Sequence, residues 1–594
     1  MCGILFSLST EQTPVDVEEW ENLKELNTRR GPDAQNLHQV HTSHRNQELL
    51  LQFFSSVLHL RGSETVPQPR YNSQTGNVLC WNGEIFGGID VEFGHNDTQI
   101  LMDQLEKTTT ENDILDVLQK IEGPFAFVYY RAATHKIYFG RDCLGRRSLL
   151  WYHPKNGPFM LSSVGKSNTE VKTDSVWEEV PAIGFFSIDL QSDINDTTMK
   201  NSLPLACGIP IKLFPWKYDN ELDSLETKRL SFPFSRINSA IPELSPIEKT
   251  NVEPAIDSQM QKTIEEFISI LGDSVQKRVA DIPYLNTKGQ ARVAILFSGG
   301  LDCICLAALA NKYLPMSESI DLLNVAFENP RVENAAKIRN KKNKKDQQTK
   351  EDMPITRSIY DTPDRLTGKA GVEELQRIAP ERVWNFVEIN VPYAESLEFR
   401  QRIIDRMFPL DTVMDLSIAM AFWFASRGKG IININGKTNE YESHARVLLS
   451  GLGADEQLGG YSRHREAFRQ GGWEKLIKET QLDVDRISTR NLGRDDRIMS
   501  DHGKEVRFPF LSTYVVNWLC QQPIQLKMDL RYERGIGEKL LLRHVARKLG
   551  LINASRNWKR AIQFGAKTAK MTGEARSEKG QHKLTAINQE EKIV

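Results

Sequence analysis

The residues able to do chemistry fall into two groups far apart in this 594-residue chain. The first is a single side chain. Cys2 follows the initiator Met1, and a small second residue favours trimming of that methionine, which would leave a thiol and a free α-amine on one residue. An unperturbed thiol titrates at about 8.5 and an α-amine at about 7.7–8.0, so the pair can act as nucleophile and base near neutrality without a histidine. The second group is Ser298-Gly299-Gly300-Leu301-Asp302, which follows the apolar run Val293–Phe297 and opens an apolar helical pattern. A buried strand, a glycine turn and a helix N-terminus together suit a polyphosphate. The backbone N–H groups can approach the oxygens, Ser298 adds a hydroxyl, and the helix dipole favours negative charge. Asp302 would repel phosphate unless Mg²⁺ lay between them, so it predicts a metal-bound nucleotide. The Walker spacing is absent. Val447-Leu448-Leu449 followed by Ser450-Gly451-Leu452-Gly453-Ala454-Asp455-Glu456 repeats the strand and glycine turn, with Asp455 as a second candidate Mg²⁺ carboxylate.

Two different grammars must position these groups. Up to about residue 190 the chain carries short β-type runs, Ile4–Leu8, Leu49–Phe54, Val78–Phe86, Phe125–Tyr130, Ile137–Phe139, Ser148–Tyr152 and Gly184–Leu190, with helical spacing at Val17, Trp20, Leu23 and Leu26 and again at Ile100, Leu101 and Leu105. An α+β domain of packed sheets is expected over 2–190. Residues 191–263 read as a polar linker. From about 264 to 570, buried-type strands Val293–Phe297, Leu322–Phe327 and Val447–Leu449 alternate with helical segments such as Leu301–Tyr313 and Ser417–Ser426, the style of a parallel α/β domain. A polar insertion spans about 331–353, and its basic run Lys337–Lys345 reads as solvated, with nucleic-acid contact or a localisation signal as alternatives. Residues 571–594 read as a polar tail.

Composition narrows the class. The 76 Lys plus Arg balance 78 Asp plus Glu, leaving a formal charge of −2, so there is no global drive toward nucleic acid or anionic membrane. The cysteines, seven in number at 2, 80, 143, 207, 303, 305 and 520, show no Cys-x-x-Cys spacing, so neither a zinc site nor a disulfide framework is read. The N-terminus does not resemble a signal sequence, and the longest apolar stretch is broken by Ser298, the two glycines and Asp302. A cytoplasmic protein without membrane contact is expected.

Arg29-Arg30-Gly31-Pro32-Asp33, His59-Leu60-Arg61, Trp81-Asn82-Gly83-Glu84-Ile85-Phe86, Asn96-Asp97-Thr98, Gly123-Pro124-Phe125 and Gly140-Arg141-Asp142-Cys143-Leu144-Gly145, taken with Met-Cys-Gly-Ile, resemble the class II, N-terminal-nucleophile glutamine amidotransferase domain. The resemblance implies an αββα fold and hydrolysis of glutamine through a thioester on Cys2, with the oxyanion hole at Asn82 and Gly83. It further implies that Arg61 takes the α-carboxylate of glutamine and that Glu84 and Asp97 take its α-ammonium. Ser-Gly-Gly-Leu-Asp resembles the ATP pyrophosphatase signature, whose fold adenylates a substrate. Gly503–Leu511, Gly537–Arg543 and Trp558-Lys559-Arg560 resemble the remaining blocks of asparagine synthetases. Over most of its length the chain is similar to the asparagine synthetase domain-containing proteins, through Asp364-Arg365-Leu366-Thr367-Gly368-Lys369-Ala370-Gly371 and Asn491-Leu492-Gly493-Arg494-Asp495-Asp496-Arg497 among others. What this implies is ATP held at Leu296, Ser298, Gly299, Gly300, Asp302, Val325, Ser450 and Gly451, Mg²⁺ at Asp302 and Asp455, Lys559 as the catalytic lysine with Arg560 as the other register, aspartate as acceptor, and compatibility with a homodimer.

Two positions depart from the synthetases. Leu452 stands where they carry a glutamate linked to the ammonia step, and a leucine accepts no proton; losing a general base costs about 10²–10⁴ in rate. Cys303 replaces a serine after Leu-Asp, a weaker donor. The expected function is therefore a glutamine-dependent amidotransferase passing ammonia to an adenylated aspartate. The alternatives are a nucleotide-binding interaction protein that has lost synthetase turnover, with or without glutaminase activity, and, with less support, an enzyme acting on tRNA.

Overall fold

The computed structural model describes residues 2–44, 47–165, 177–192, 203–205, 209–218, 230–244, 247, 250–284, 290–331, 358–569, 571 and 582–584. The basic run Lys337–Lys345 lies outside them, as does most of the tail. Gly3–Ser9 is a strand buried on both faces. Ile4, Phe6 and Leu8 point one way, into a cluster with Val78, Ala126, Val128 and Phe139 of a second sheet. Leu5 points the other way, onto Trp20 and Leu23 of the helix Val17–Arg30. That helix begins where Asp16 accepts the backbone N–H of Glu19 at 2.8 Å and stops before Gly31-Pro32. The first sheet runs, edge to edge, Glu178–Glu179, Leu150–Tyr152, Phe159–Ser162, Gly3–Ser9, Gln47–Val57, Ala34–His44. The second contains Pro210–Lys217, Gly184–Asp189, Lys136–Arg141, Phe125–Arg131 and Val78–Gly83 in that order, with antiparallel neighbours. Helices Asp97–Glu106 and Glu111–Gln119 bury Leu101, Leu105, Ile114 and Leu118 against its outer face. Helix, sheet, sheet, helix is the expected αββα layering.

Pro210–Lys217 falls within the segment read from sequence as a polar connection. It is instead a strand paired with Gly184–Asp189 from Gly184↔Pro215 to Ile188↔Ile211. Phe214 and Trp216 are buried by this pairing, which the surrounding polar residues mask in a composition reading.

The C-terminal sheet runs Lys437–Glu442, Lys429–Ile434, Trp384–Val391, Ile320–Phe327, Val293–Leu296, Val447–Leu449, Glu505–Arg507. Its five strands from Trp384–Val391 onward are parallel, and Lys429–Ile434 and the edge strand Lys437–Glu442 are antiparallel to their neighbours. Val293–Leu296 has a strand from later sequence on each side, so the chain reverses its direction of winding there. In open parallel sheets that reversal opens a crevice beyond the carboxyl ends of the strands. Both glycine turns emerge into it.

Candidate functional sites

Cys2 sits at the start of the central strand of the first sheet, against the end of Val78–Gly83 in the second. Its backbone nitrogen donates to Asn82 Oδ1 at 3.0 Å, and Gln68 Nε2 lies 3.7 Å from its sulfur. Burial pushes the thiol up. Asn82 Nδ2 is buried and has no hydrogen-bond partner among the described residues. An oxyanion would satisfy it. Gly83 is required by packing, since a Cβ there would lie 2.6 Å from that of Phe125.

The three residues expected to hold glutamine converge on the same pocket, which is also lined by Cys2 and by Glu505 of the C-terminal half. Asp97 opens its helix, and its Oδ2 accepts the Ile85 backbone N–H at 3.0 Å. Burial raises its carboxyl, with Arg61 opposing. Burial likewise pushes Glu84 up to about 8, against the pull of Arg507, whose guanidinium is 3.1 Å away. Arg61 Nη1 donates to the Ile85 carbonyl at 2.5 Å.

The second site is a cavity of about 870 Å³ at the ends of the parallel strands. Leu296, Ser298, Gly300, Asp302, Val325, Ser450, Gly451, Asp455 and Lys559 all line it, as does Leu452. Gly299 does not. It makes the turn, at φ +73°, pressed so close to Thr367 that a Cβ would fall 2.3 Å from that carbonyl oxygen. Asp302 and Asp455 come from different loops and meet on one cation, Lys539, whose Nζ is 2.6 Å from Asp302 and 2.7 Å from Asp455. Lys559 also reaches Asp455. Burial would raise the Asp455 carboxyl, but the two lysines outweigh it and hold it well below the usual range. Lys559 is held protonated by the same contacts despite its burial. Arg560 lines the cavity too, but lies 3.9 Å from Asp364. Two carboxylates from different loops match the donor set that Mg²⁺ takes together with substrate phosphates, and Lys539 would have to yield its place between them.

Two residues at this site, Lys539 behind the cavity's carboxylates and Asp364 in its lining, were not singled out in the sequence. Lys539 lies within the quoted Gly537–Arg543 block, but only the fold brings it to Asp302, 237 residues earlier. Asp364 lies within another quoted block. Its carboxyl rests on Gly565, where a Cβ would fall about 2 Å from it, and burial pushes it up to about 7. Cys303 donates to the Gly300 carbonyl at 3.2 Å and lies 3.8 Å from Ser298 Oγ, so the weaker donor supports the turn from within.

An N-terminal cysteine facing an unpaired amide in an αββα fold, followed by a parallel sheet with two glycine turns, is the architecture of a glutamine amidotransferase domain joined to an asparagine synthase domain. Comparison agrees: residues 1–199 match the family model described as glutamine amidotransferase domain, and residues 469–581 match asparagine synthase. The chain is 41% identical to asparagine synthetase domain-containing protein 1 of Mus musculus, covering 96% of this chain and 97% of that one. It is 32% identical to an asparagine synthetase domain-containing protein of Saccharomyces cerevisiae over 91% of this chain and 87% of the other. It is also 25% identical over 78% of its length, and 68% of the other's, to a putative glutamine-hydrolysing asparagine synthetase of Methanocaldococcus jannaschii. The chain belongs to the asparagine synthetase domain-containing protein family. Among the described residues no helix is long and apolar enough to cross a membrane.

Proposed function

We propose that this protein hydrolyses glutamine at Cys2 and transfers the ammonia to an adenylated carboxylate, that of aspartate, to make asparagine. In the N-terminal half, the Cys2 sulfur attacks the side-chain amide carbon of glutamine. Asn82 Nδ2 and the Gly83 backbone N–H take the developing oxyanion, ammonia leaves carrying the proton from the thiol, and water cleaves the thioester to glutamate. In the C-terminal half, a carboxylate oxygen of aspartate attacks the α-phosphorus of ATP and pyrophosphate leaves. Ammonia then forms the C–N bond as the C–O bond to AMP breaks. Lys559 and Lys539 hold positive charge beside the transferring phosphates, and the turn at Ser298–Gly300 supplies backbone donors. Mg²⁺, when bound at Asp302 and Asp455, neutralises charge on the polyphosphate.

The observation that carries this reading is the buried, unpartnered Asn82 Nδ2 beside Cys2. An unmade hydrogen bond of a buried amide costs about 1–3 kcal/mol, and a site built to receive an oxyanion accounts for it. The test uses purified protein with Mg²⁺-ATP, aspartate and ammonia, followed for asparagine and for AMP with pyrophosphate. Stoichiometric asparagine and AMP are expected. Leu452 favours a second reading, a nucleotide-binding protein without synthetase turnover. Neither product from folded protein would establish that second reading and overturn the first; AMP without asparagine would move the proposal to another acceptor.

A further inference from the structure

We propose that Asp281, which belongs to the C-terminal half, is a positioning residue of the glutamine pocket; the inference rests on Arg61 and Asp97 being glutamine ligands. Asp281 follows the helix Ser258–Val279, in the half of the chain that carries the nucleotide cavity. Its Oδ2 accepts from Arg61 Nε at 3.3 Å, and its Oδ1 accepts the backbone N–H of Gly94 at 3.2 Å. Gly94 precedes Asn96, which caps the helix opening with Asp97 and donates to the Arg61 carbonyl at 3.3 Å. One carboxylate thus ties together the arginine that takes a carboxylate and the loop that presents the residue for an ammonium.

The arrangement of the guanidinium decides which way Asp281 acts. Nη1 is fixed on the Ile85 carbonyl and Nε on Asp281, while Nη2 has no hydrogen-bond partner among the described residues. Two nitrogens anchored on protein, with Glu84 3.8 Å from Nη1, leave the third available to an incoming carboxylate, so Asp281 prepares Arg61 for its ligand and does not take the ligand's place. Ile85 closes the circuit: its carbonyl holds Arg61 and its N–H holds Asp97. An ion pair with a side chain that is largely sheltered, 11% exposed for Arg61 and 16% for Asp281, is screened less than a surface pair. Preorganisation of this kind appears in affinity for the α-amino acid end of glutamine and leaves the chemistry at Cys2 alone. Glutamine recognition therefore depends on the two halves being docked.

The experiment compares Asp281→Asn and Asp281→Glu with the unaltered full-length chain. A charged hydrogen bond is worth about 1.5–3 kcal/mol, so Asp281→Asn is expected to raise KM for glutamine roughly tenfold or more, with kcat for hydrolysis nearly unchanged and partial recovery in Asp281→Glu. A parallel readout needs no turnover: Cys2 alkylation by 6-diazo-5-oxo-L-norleucine, which carries the amino-acid end of glutamine, should slow in Asp281→Asn, while alkylation by iodoacetamide, which does not, should keep its rate. An unchanged or lowered KM, an equal fall in kcat and kcat/KM, or an equal slowing of both alkylations overturns the proposal. Unaltered protein that neither hydrolyses glutamine nor reacts with the diazo analogue would instead overturn the reading of the pocket, and the inference with it.

Discussion

Asn82 does two things with one amide: Oδ1 receives the Cys2 backbone nitrogen and Nδ2 stays buried and unpaired. If Nδ2 is an oxyanion donor, Asn82→Ala lowers kcat for glutamine hydrolysis by about 10²–10³ with little change in KM; steady-state hydrolysis checks this, and a change confined to KM contradicts it. Cys2→Ala should abolish glutamine hydrolysis and spare any ammonia-dependent product, whereas hydrolysis that persists places the nucleophile elsewhere. Asp364 gives a pH prediction. Its folded value of about 7 lies above the ordinary carboxyl value because of burial, so its contribution to stability is full at acid pH and is lost as pH rises from about 4 through 7. Thermal midpoints of Asp364→Asn should therefore fall less over that range than those of the unaltered chain; parallel profiles would show that the carboxyl ionises normally. Cys2, Asn82 and Asp302 were singled out by type and motif position, and the fold sets Cys2 beside Asn82 and Asp302 in the larger cavity. Lys539 and Asp281 were not. Each acts on a partner remote in sequence, and nothing local distinguishes it from a surface charge.

Elements with a hydrophobic period were legible, and those whose burial comes from a neighbour were not. Gly3–Ser9 and Val293–Leu296 announce themselves as apolar runs, while Ala34–His44 is largely polar, an edge strand that Gln47–Val57 holds by backbone pairing. Asn491-Leu492-Gly493-Arg494-Asp495-Asp496-Arg497 carries four charges in seven residues yet is wholly buried from Leu492 to Arg497, because Arg494 and Asp495 pair with each other and Asp496 and Arg497 find partners across the junction of the two halves. Asp496 accepts from Arg30 at 2.7 Å, from Arg147 at 3.4 Å and from the Ser148 backbone at 3.1 Å. Removing the shared carboxylate takes countercharge from two buried guanidinium groups, of which Arg147 keeps Glu505 at 2.8 Å. Asp496→Ala should cost about 3–5 kcal/mol, measured as a fall in the denaturant midpoint, and a loss below about 1 kcal/mol would mean that water enters the junction.

At the scale of the molecule, the halves share more than ions. One apolar cluster includes Trp81, Phe125 and Trp216 from the N-terminal half with Phe267, Leu511 and Val515 from the other, so neither half completes its core alone. Charge reinforces the junction: Arg146 donates to the Leu511 carbonyl at 2.7 Å, Glu122 pairs with Arg278 at 3.3 Å, and Glu84 with Arg507 at 3.1 Å. Arg507 ends the strand that pairs with Val447–Leu449, just before the second glycine turn, so the glutamine pocket and the nucleotide cavity stand on neighbouring strands of one sheet. A ligand that binds only the folded chain at 100 times its Kd stabilises it by about 2.7 kcal/mol, and that stabilisation spreads to every segment that unfolds cooperatively with the site. Saturating Mg²⁺-ATP should therefore slow amide hydrogen exchange in the strand Gly3–Ser9, at the glutaminase core, about as much as in Val293–Leu296 beneath the cavity. Slowing confined to the C-terminal sheet would show that the halves open independently and that the shared cluster does not bind them into one cooperative unit.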